Sequence, residues 1–271
     1  MFKKQLFAGP FLIWIACGTV IPLAVIAFYG FTDRSGAFTF ENIMAMFSGE
    51  HAQALGLSLL LSLISTVICF VLAFPLALIL KNSGLGQKGF MIFIFILPMW
   101  MNFLLRTMAW QVLLEKGGLI NSVLEFLHLP ALEIINTPAA IVLGMVYDFL
   151  PFMVLPIYNT IMKIDDHIIE AAYDLGATKR KVLTDILLPL SIPGIASGVT
   201  MVFVPSLTTF VISNMLGGGK IHLIGNIIEQ EFTTSANWHL GSGLSLIMMI
   251  FIVISMAALT KLDKNGEGTL I

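Results

Sequence analysis

The chain has 271 residues, 11% of them charged and 58% hydrophobic, with a formal net charge of -2. A soluble domain carries roughly 25% charged residues, so this composition points to a membrane, and the near-neutral balance excludes a strongly basic nucleic-acid binder. The length accommodates several spans of about 20 residues and leaves little for a separate soluble core.

Six apolar runs follow one another along the chain, at about residues 6–29, 52–80, 90–114, 137–162, 188–216 and 240–259. Each is long enough for a membrane helix, so an all-α protein with six spans is expected. Lys3 and Lys4 precede the first run, but that run is too long for the apolar part of a signal peptide and no small-residue cleavage site is obvious. It is expected to be an uncleaved span. Pro75, Pro98, Pro151, Pro156 and Pro205 fall within or at the ends of the runs, where a bundle tolerates kinks. Cys17 and Cys69 both lie in apolar runs and are expected to be small buried hydrophobes, neither a disulfide nor a metal pair.

Basic residues near span ends orient the chain. One side carries Lys3, Lys4, Lys81, Lys88, Lys163, Lys179, Arg180, Lys181, Lys261 and Lys264, and the other carries Arg34, Lys116 and Lys220. This bias puts both termini in the cytoplasm, together with the loop between the fourth and fifth runs. The outer loops lean acidic, with Asp33, Glu41, Glu50, Glu115, Glu125, Glu133, Glu229 and Glu231. Such a face attracts a cation or a basic partner, although acidic loops are more often simply solvated.

The cytoplasmic loop at residues 165–189 stands out for its polarity. Asp165 or Asp166 is suited to cap a short helix with an apolar stripe of Ile168, Ile169, Ala172, Tyr173 and Leu175. Gly176 permits a left-handed turn, and Thr178 is placed to cap a second helix that runs until Pro189 disturbs it. The fixed pattern of Glu170, Ala171, Ala172, Gly176, Ile186, Leu188 and Pro189 resembles the EAA loop of permease subunits in binding-protein-dependent ABC importers. In that family the loop forms coupling helices seated in a groove of a cytoplasmic ATPase. The resemblance implies that Glu170, Ala171, Ala172 and Gly176 dock the ATPase.

The chain shows no engine of its own. Gly217-Gly218-Gly219-Lys220 has Asn214 where a Walker A loop needs its first Gly and Ile221 where it needs Ser or Thr. The five histidines show no metal-ligand spacing, and neither HExxH nor GxSxG occurs. Energy for uphill movement must therefore come from a partner or an ion gradient.

Further segments sharpen the resemblance. Leu97-Pro98 with Trp100, Asn102, Arg106, Thr107 and Trp110, then Gly118 to Asn121 and Leu150 to Met153, are similar to polyamine importer permeases. Leu216-Gly217-Gly218, Leu223 to Asn226, Ile228 and Trp238 resemble the B-type permease of spermidine/putrescine importers, and the likeness runs over about residues 55–260. It implies a type I importer (MetI-like) permease fold, with residues 1–271 as one permease domain in a bacterial inner membrane. The implied partners are a second homologous permease, two cytoplasmic ATPases and an extracytoplasmic polyamine-binding protein. ATP and magnesium would be bound by the ATPases, with no cofactor in this chain.

Asp148 lies about eleven residues into the fourth run, roughly 16 Å by helical rise and so near the midplane. An ionisable group there costs roughly 2.5 to 3.5 kcal/mol and needs a cavity or a partner. A carboxylate with aromatic faces such as Trp100, Trp110 and Tyr147 suits a polycation with methylene links. Asp148 equally suits pairing with Arg106, expected nearer the outer end of the third run, or a proton relay in a secondary transporter. Trp100 and Trp110 are alternatively interface anchors. Gly194 and Gly198 form a GxxxG pair expected to be a helix-packing contact. An importer permease for another small solute fits the EAA loop equally well.

Overall fold

The structure, a computed structural model, describes residues 10–11, 13–82 and 97–267. Lys3, Lys4, Lys88 and the first part of the third apolar run lie outside the described residues. The rest is helices joined by turns, with an isolated antiparallel bridge between Thr32 and Phe38. The helices are α1 (Ile13–Gly30), α2 (Gly49–Asn82), α3 (Phe103–Leu114), α4 (Leu119–Phe126), α5 (Pro138–Ile161) and α6 (Asp166–Asp174). They continue with α7 (Lys179–Leu190), α8 (Ile192–Thr208), α9 (Val211–Leu216), α10 (Ile224–Thr233) and α11 (Trp238–Glu267).

Among the described residues, α1, α2, α5 and the first part of α11 are each long and apolar enough to cross a membrane, and α7 with α8 forms a fifth candidate bent by 65°. The bend has a local cause. Pro189 and Pro193 flank Ser191, and the ring and missing N–H of Pro193 prevent a regular helical bond to the Pro189 carbonyl. Just ahead of the bend, residues Val182–Leu187 widen into a π-helical turn. The fifth run is therefore not a single rod over 188–216. It starts past the bend, ends at Thr208, passes an extended Thr209 and resumes as the short α9.

The third run is likewise broken in its described part. Leu97–Trp100 forms a 3-10 turn, and Asn102 starts a new helix by accepting the amides of Leu104 at 2.9 Å and Leu105 at 3.4 Å.

The centre of the bundle is made by α2, α5 and α8, which pack on one another in all three combinations. Their shared core includes Leu61, Cys69, Ala73, Met145, Met153, Ile157 and Val202. Small residues set the close approaches. A Cβ on Gly194 would meet the Pro156 carbonyl at 2.7 Å, and one on Gly198 would meet the Met153 sulfur at 2.7 Å. The GxxxG pair of α8 is thus a packing contact against α5, as its spacing predicts. On Gly144 of α5, a Cβ would meet Leu216 of α9 at 2.5 Å. A second core of Met46, Leu207, Ile224, Leu244 and Met248 joins α8, α10 and α11.

Helix α1 packs mainly on α11, where Gly30 lies against Leu246. Among the described residues its other faces stay open, so Cys17 is exposed, contrary to the expectation from its apolar run, whereas Cys69 is buried in the central core. Hydropathy alone does not separate a core helix from one at the edge of a bundle.

Candidate functional site

The loop from Asp165 to Pro189 is built as two capped helices. The Asp165 side chain accepts the His167 amide at 3.0 Å and so begins α6. The helix ends on Gly176 at φ +81°, with the Gly176 amide bonded to the Tyr173 carbonyl at 2.9 Å and the Ala177 amide to the Ala172 carbonyl at 3.0 Å. That pair of bonds is a Schellman turn, which needs the left-handed conformation a glycine adopts at no steric cost. Thr178 then begins α7 by accepting the Lys181 amide at 3.4 Å.

No residue of α6 is buried within the chain. Ile168 and Tyr173 of its apolar stripe are nearly half exposed, and Leu175 is 89% exposed. Glu170 and Ala171 are exposed, Ala172 is half-buried, and Gly176 has open space around its Cα. An amphipathic helix with its apolar side uncovered, small residues at its centre and a rigid turn at its end is shaped to seat on another surface. Asp166, at the start of α6, pairs with Lys81 at the end of α2 at 2.8 Å. The Lys81 ammonium beside it holds the Asp166 carboxyl below its ordinary range.

The five residues proposed for a cargo path fall into three places. Asp148 is 1% exposed and Arg106 is 7% exposed, and Arg106 Nε lies 3.3 Å from Asp148 Oδ1. Thr107 donates its hydroxyl to Asp148 Oδ2 at 3.3 Å. The two charges therefore face each other, with Arg106 at the end of the first turn of α3. Trp110 and Tyr147 meet edge to face at 5.2 Å and line an apolar groove of about 640 Å3 with Ile64, Val142, Val146 and Leu150. Trp100 is on the 97–100 turn, 72% exposed, and does not line that groove.

At the opposite end from α6, Glu50, His51, Gln53, His222, Gln230 and Glu231 line a cavity of about 590 Å3. Lys116 and Glu133 pair there across a loop at 2.9 Å, which raises the lysine's pKa and lowers the carboxyl's. Nearby, Asn226 ties α9 to α10. It accepts from the Ser213 hydroxyl at 2.5 Å and the Leu223 amide at 3.0 Å, and donates to the Phe210 carbonyl at 3.1 Å and Asn214 Oδ1 at 2.6 Å.

Three structural roles went unread in the sequence. Lys81 counted there only as an orienting charge, and Thr107 and Asn226 only as parts of a resemblance. Lys81 and Thr107 act through partners 41 or more positions away, which no local pattern announces, whereas Asn226 bonds within 16 positions of itself.

Residues 43–265 match the family model described as a binding-protein-dependent transport system inner membrane component. The spermidine/putrescine transport system permease protein PotB of Haemophilus influenzae is 34% identical over 267 residues, spanning 94% of this chain and 93% of that protein. The Escherichia coli K12 protein of the same description is 32% identical over 266 residues, spanning 94% and 97%. Among solved structures, a chain of a bacterial ABC transporter that imports the acidic polysaccharide alginate superposes with a TM-score of 0.81. It shares 18% identity, and 97% of this chain and 96% of that one are covered. A chain of the inward-facing methionine transporter MetNI superposes with a TM-score of 0.56 at 16% identity, covering 79% and 95%. At those identities the structural likeness speaks for the fold alone.

Proposed function

We infer the role of this chain from its family: it belongs to the binding-protein-dependent transport system inner membrane components. It is a multi-pass inner-membrane protein of the ABC permease fold, a transport subunit and not an enzyme. The reading we propose is the permease subunit of an ATP-driven importer of polyamines. The observation that carries the cargo is the likeness to spermidine/putrescine permeases at 34% identity over nearly the whole of both chains.

In this reading residues 1–271 form one permease domain with six spans and with both termini in the cytoplasm. A second homologous permease completes the pathway, two ATPases bind ATP and magnesium, and an extracytoplasmic binding protein delivers cargo. Glu170, Ala171, Ala172 and Gly176 form the seat for one ATPase, supported by the uncovered apolar face of α6. Closure of the ATPases moves α6 and tilts the bundle between outward and inward access.

The cargo path is proposed along Trp100, Trp110, Tyr147, Arg106 and Asp148. A polyamine is a chain of ammonium groups with methylene spacers, so aromatic faces suit its length and a carboxylate its charge. Asp148 is closed off by Arg106 at rest. The guanidinium is a built-in counter-ion that a cargo ammonium replaces once the bundle opens. The 3.3 Å contact lacks the alignment of a tight bidentate pair, which makes such an exchange less costly.

Purification of this chain from its native membrane tests the assembly. Copurification of a separate ATPase subunit, with ATP hydrolysis stimulated by the binding protein, is the expected result. Uptake by this chain alone under an imposed proton gradient would overturn the reading in favour of a secondary transporter.

A further inference from the structure

The end of α2 carries a lysine with an unusual set of partners. Lys81 is the penultimate residue of α2, and its side chain is 11% exposed although it ends in an ammonium group. The Nζ donates to the carbonyl of Ile164 at 3.0 Å and of Ile161 at 3.4 Å, and contacts Asp166 Oδ1 at 2.8 Å. An ammonium has three N–H donors, and here three acceptors are in reach.

The acceptors come from distinct parts of the fold. Ile161 is the last residue of α5, Ile164 lies in the turn that follows, and Asp166 is the first residue of α6. A helix C-terminus leaves carbonyls without intrahelical partners and carries partial negative charge, so a cation there is held by both hydrogen bonds and the helix dipole. One side chain of α2 therefore grips the end of α5, the connecting turn and the start of α6. Between α5 and α6 the backbone itself runs only through Met162 to Asp165.

We infer that Lys81 is the positioning residue that transmits displacement of α6 to the central helices α2 and α5. This rests on the docking role proposed for α6. If an ATPase pulls on α6, the chain alone transmits that pull to α5, through a turn. The Lys81 contacts add a second, charge-assisted path directly into α2, which packs along α5 and α8 in the core. Charge-assisted bonds are roughly twice as strong as neutral ones, and a side chain already ordered by burial gives little slack.

The test uses the complete transporter in proteoliposomes, with binding protein, ATP and labelled polyamine, and reads cargo taken up per ATP hydrolysed. Lys81→Met keeps the apolar stem and removes the ammonium. The expected result is a complex that retains its ATPase subunits but whose uptake per ATP falls about tenfold, in line with loss of a charged hydrogen-bonded contact. Lys81→Arg restores much of the ratio. A lysine that only stabilised the fold would lower uptake and hydrolysis together, leaving the ratio unchanged, and that result in Lys81→Met overturns the inference. If Lys81→Met fails to reach the membrane, Asp166→Ala, on a side chain 74% exposed, carries the same test, and an unchanged ratio there also overturns it. Glu170→Lys run alongside separates the two readings. If it leaves the ATPase bound and coupled, the docking role falls and this inference with it. If it strips the ATPase while Lys81→Met keeps the normal ratio, only this inference falls.

Discussion

The Arg106–Asp148 pair gives the sharpest prediction. Opposite charges about 3.3 Å apart attract by on the order of 5 kcal/mol at an effective dielectric of about 20. Both side chains are more than nine-tenths buried, so removing one takes a close opposite charge away from the other in a low-dielectric setting. Asp148→Asn alone or Arg106→Gln alone is therefore expected to cost about 3 to 5 kcal/mol, and the double neutral variant far less than the sum. The assay is a double-mutant cycle reading the amount of membrane-inserted protein and its thermal resistance in detergent, with polyamine uptake measured on the same preparations. The double variant should recover assembly but not transport, because no carboxylate is left to accept the ammonium. Wild-type uptake by the double variant would refute the exchange and leave the pair as packing. Undiminished assembly of both single variants would refute the ion pair itself.

Other substitutions probe the remaining parts of the account. Glu170→Lys and Gly176→Asp should abolish uptake and ATPase copurification while the protein stays in the membrane. Gly176→Ala, placing a side chain at φ +81°, should cost roughly 1 to 2 kcal/mol of local order in the turn, visible as faster amide exchange over α6. Gly198→Leu forces α8 away from Met153 and should reduce the inserted protein several-fold by immunoblot, whereas exposed Met201→Leu on the same helix should not. Asn226→Ala removes three hydrogen bonds between α9 and α10 and one that caps α10, and should cost about 2 to 4 kcal/mol, read as a lowered melting temperature in detergent.

What the sequence disclosed follows from which signals are local. The loop at residues 165–189 was legible in its caps and its turn, with Asp165 and Asp166 both open as the first cap. Asp165, Gly176 and Thr178 act on amides within three residues of themselves, and their types announce those bonds. The long helices α2 and α5 were legible because hydropathy sets their length. The break at Asn102 was hidden by apolar neighbours on both sides, although the residue is a good cap. The bend at Ser191 required weighing Pro189 and Pro193 together, and the interruption at Thr209 shows no breaker of its own.

The candidate path was half legible. An acid at mid-span needs a partner, and Arg106, one of the alternatives the sequence offers, is the one it meets. Trp110 and Tyr147 meet as two rings of different helices, while Trp100 falls on the other side of the Asn102 break. Lys81 was least legible. Its partners lie 80 or more positions away, and two of them are backbone carbonyls, which no residue type can signal.

The central claim is that this chain carries polyamines inward at the expense of ATP hydrolysed by a partner. Uptake of labelled spermidine and putrescine, in a strain lacking and then regaining this chain, tests it most directly. The account predicts that uptake of at least one polyamine is lost with the chain, returns with it, and stops when cellular ATP is depleted while the proton gradient is maintained. Unchanged uptake of both in the strain lacking the chain would contradict the cargo, and restored uptake that persists without ATP would contradict the mechanism.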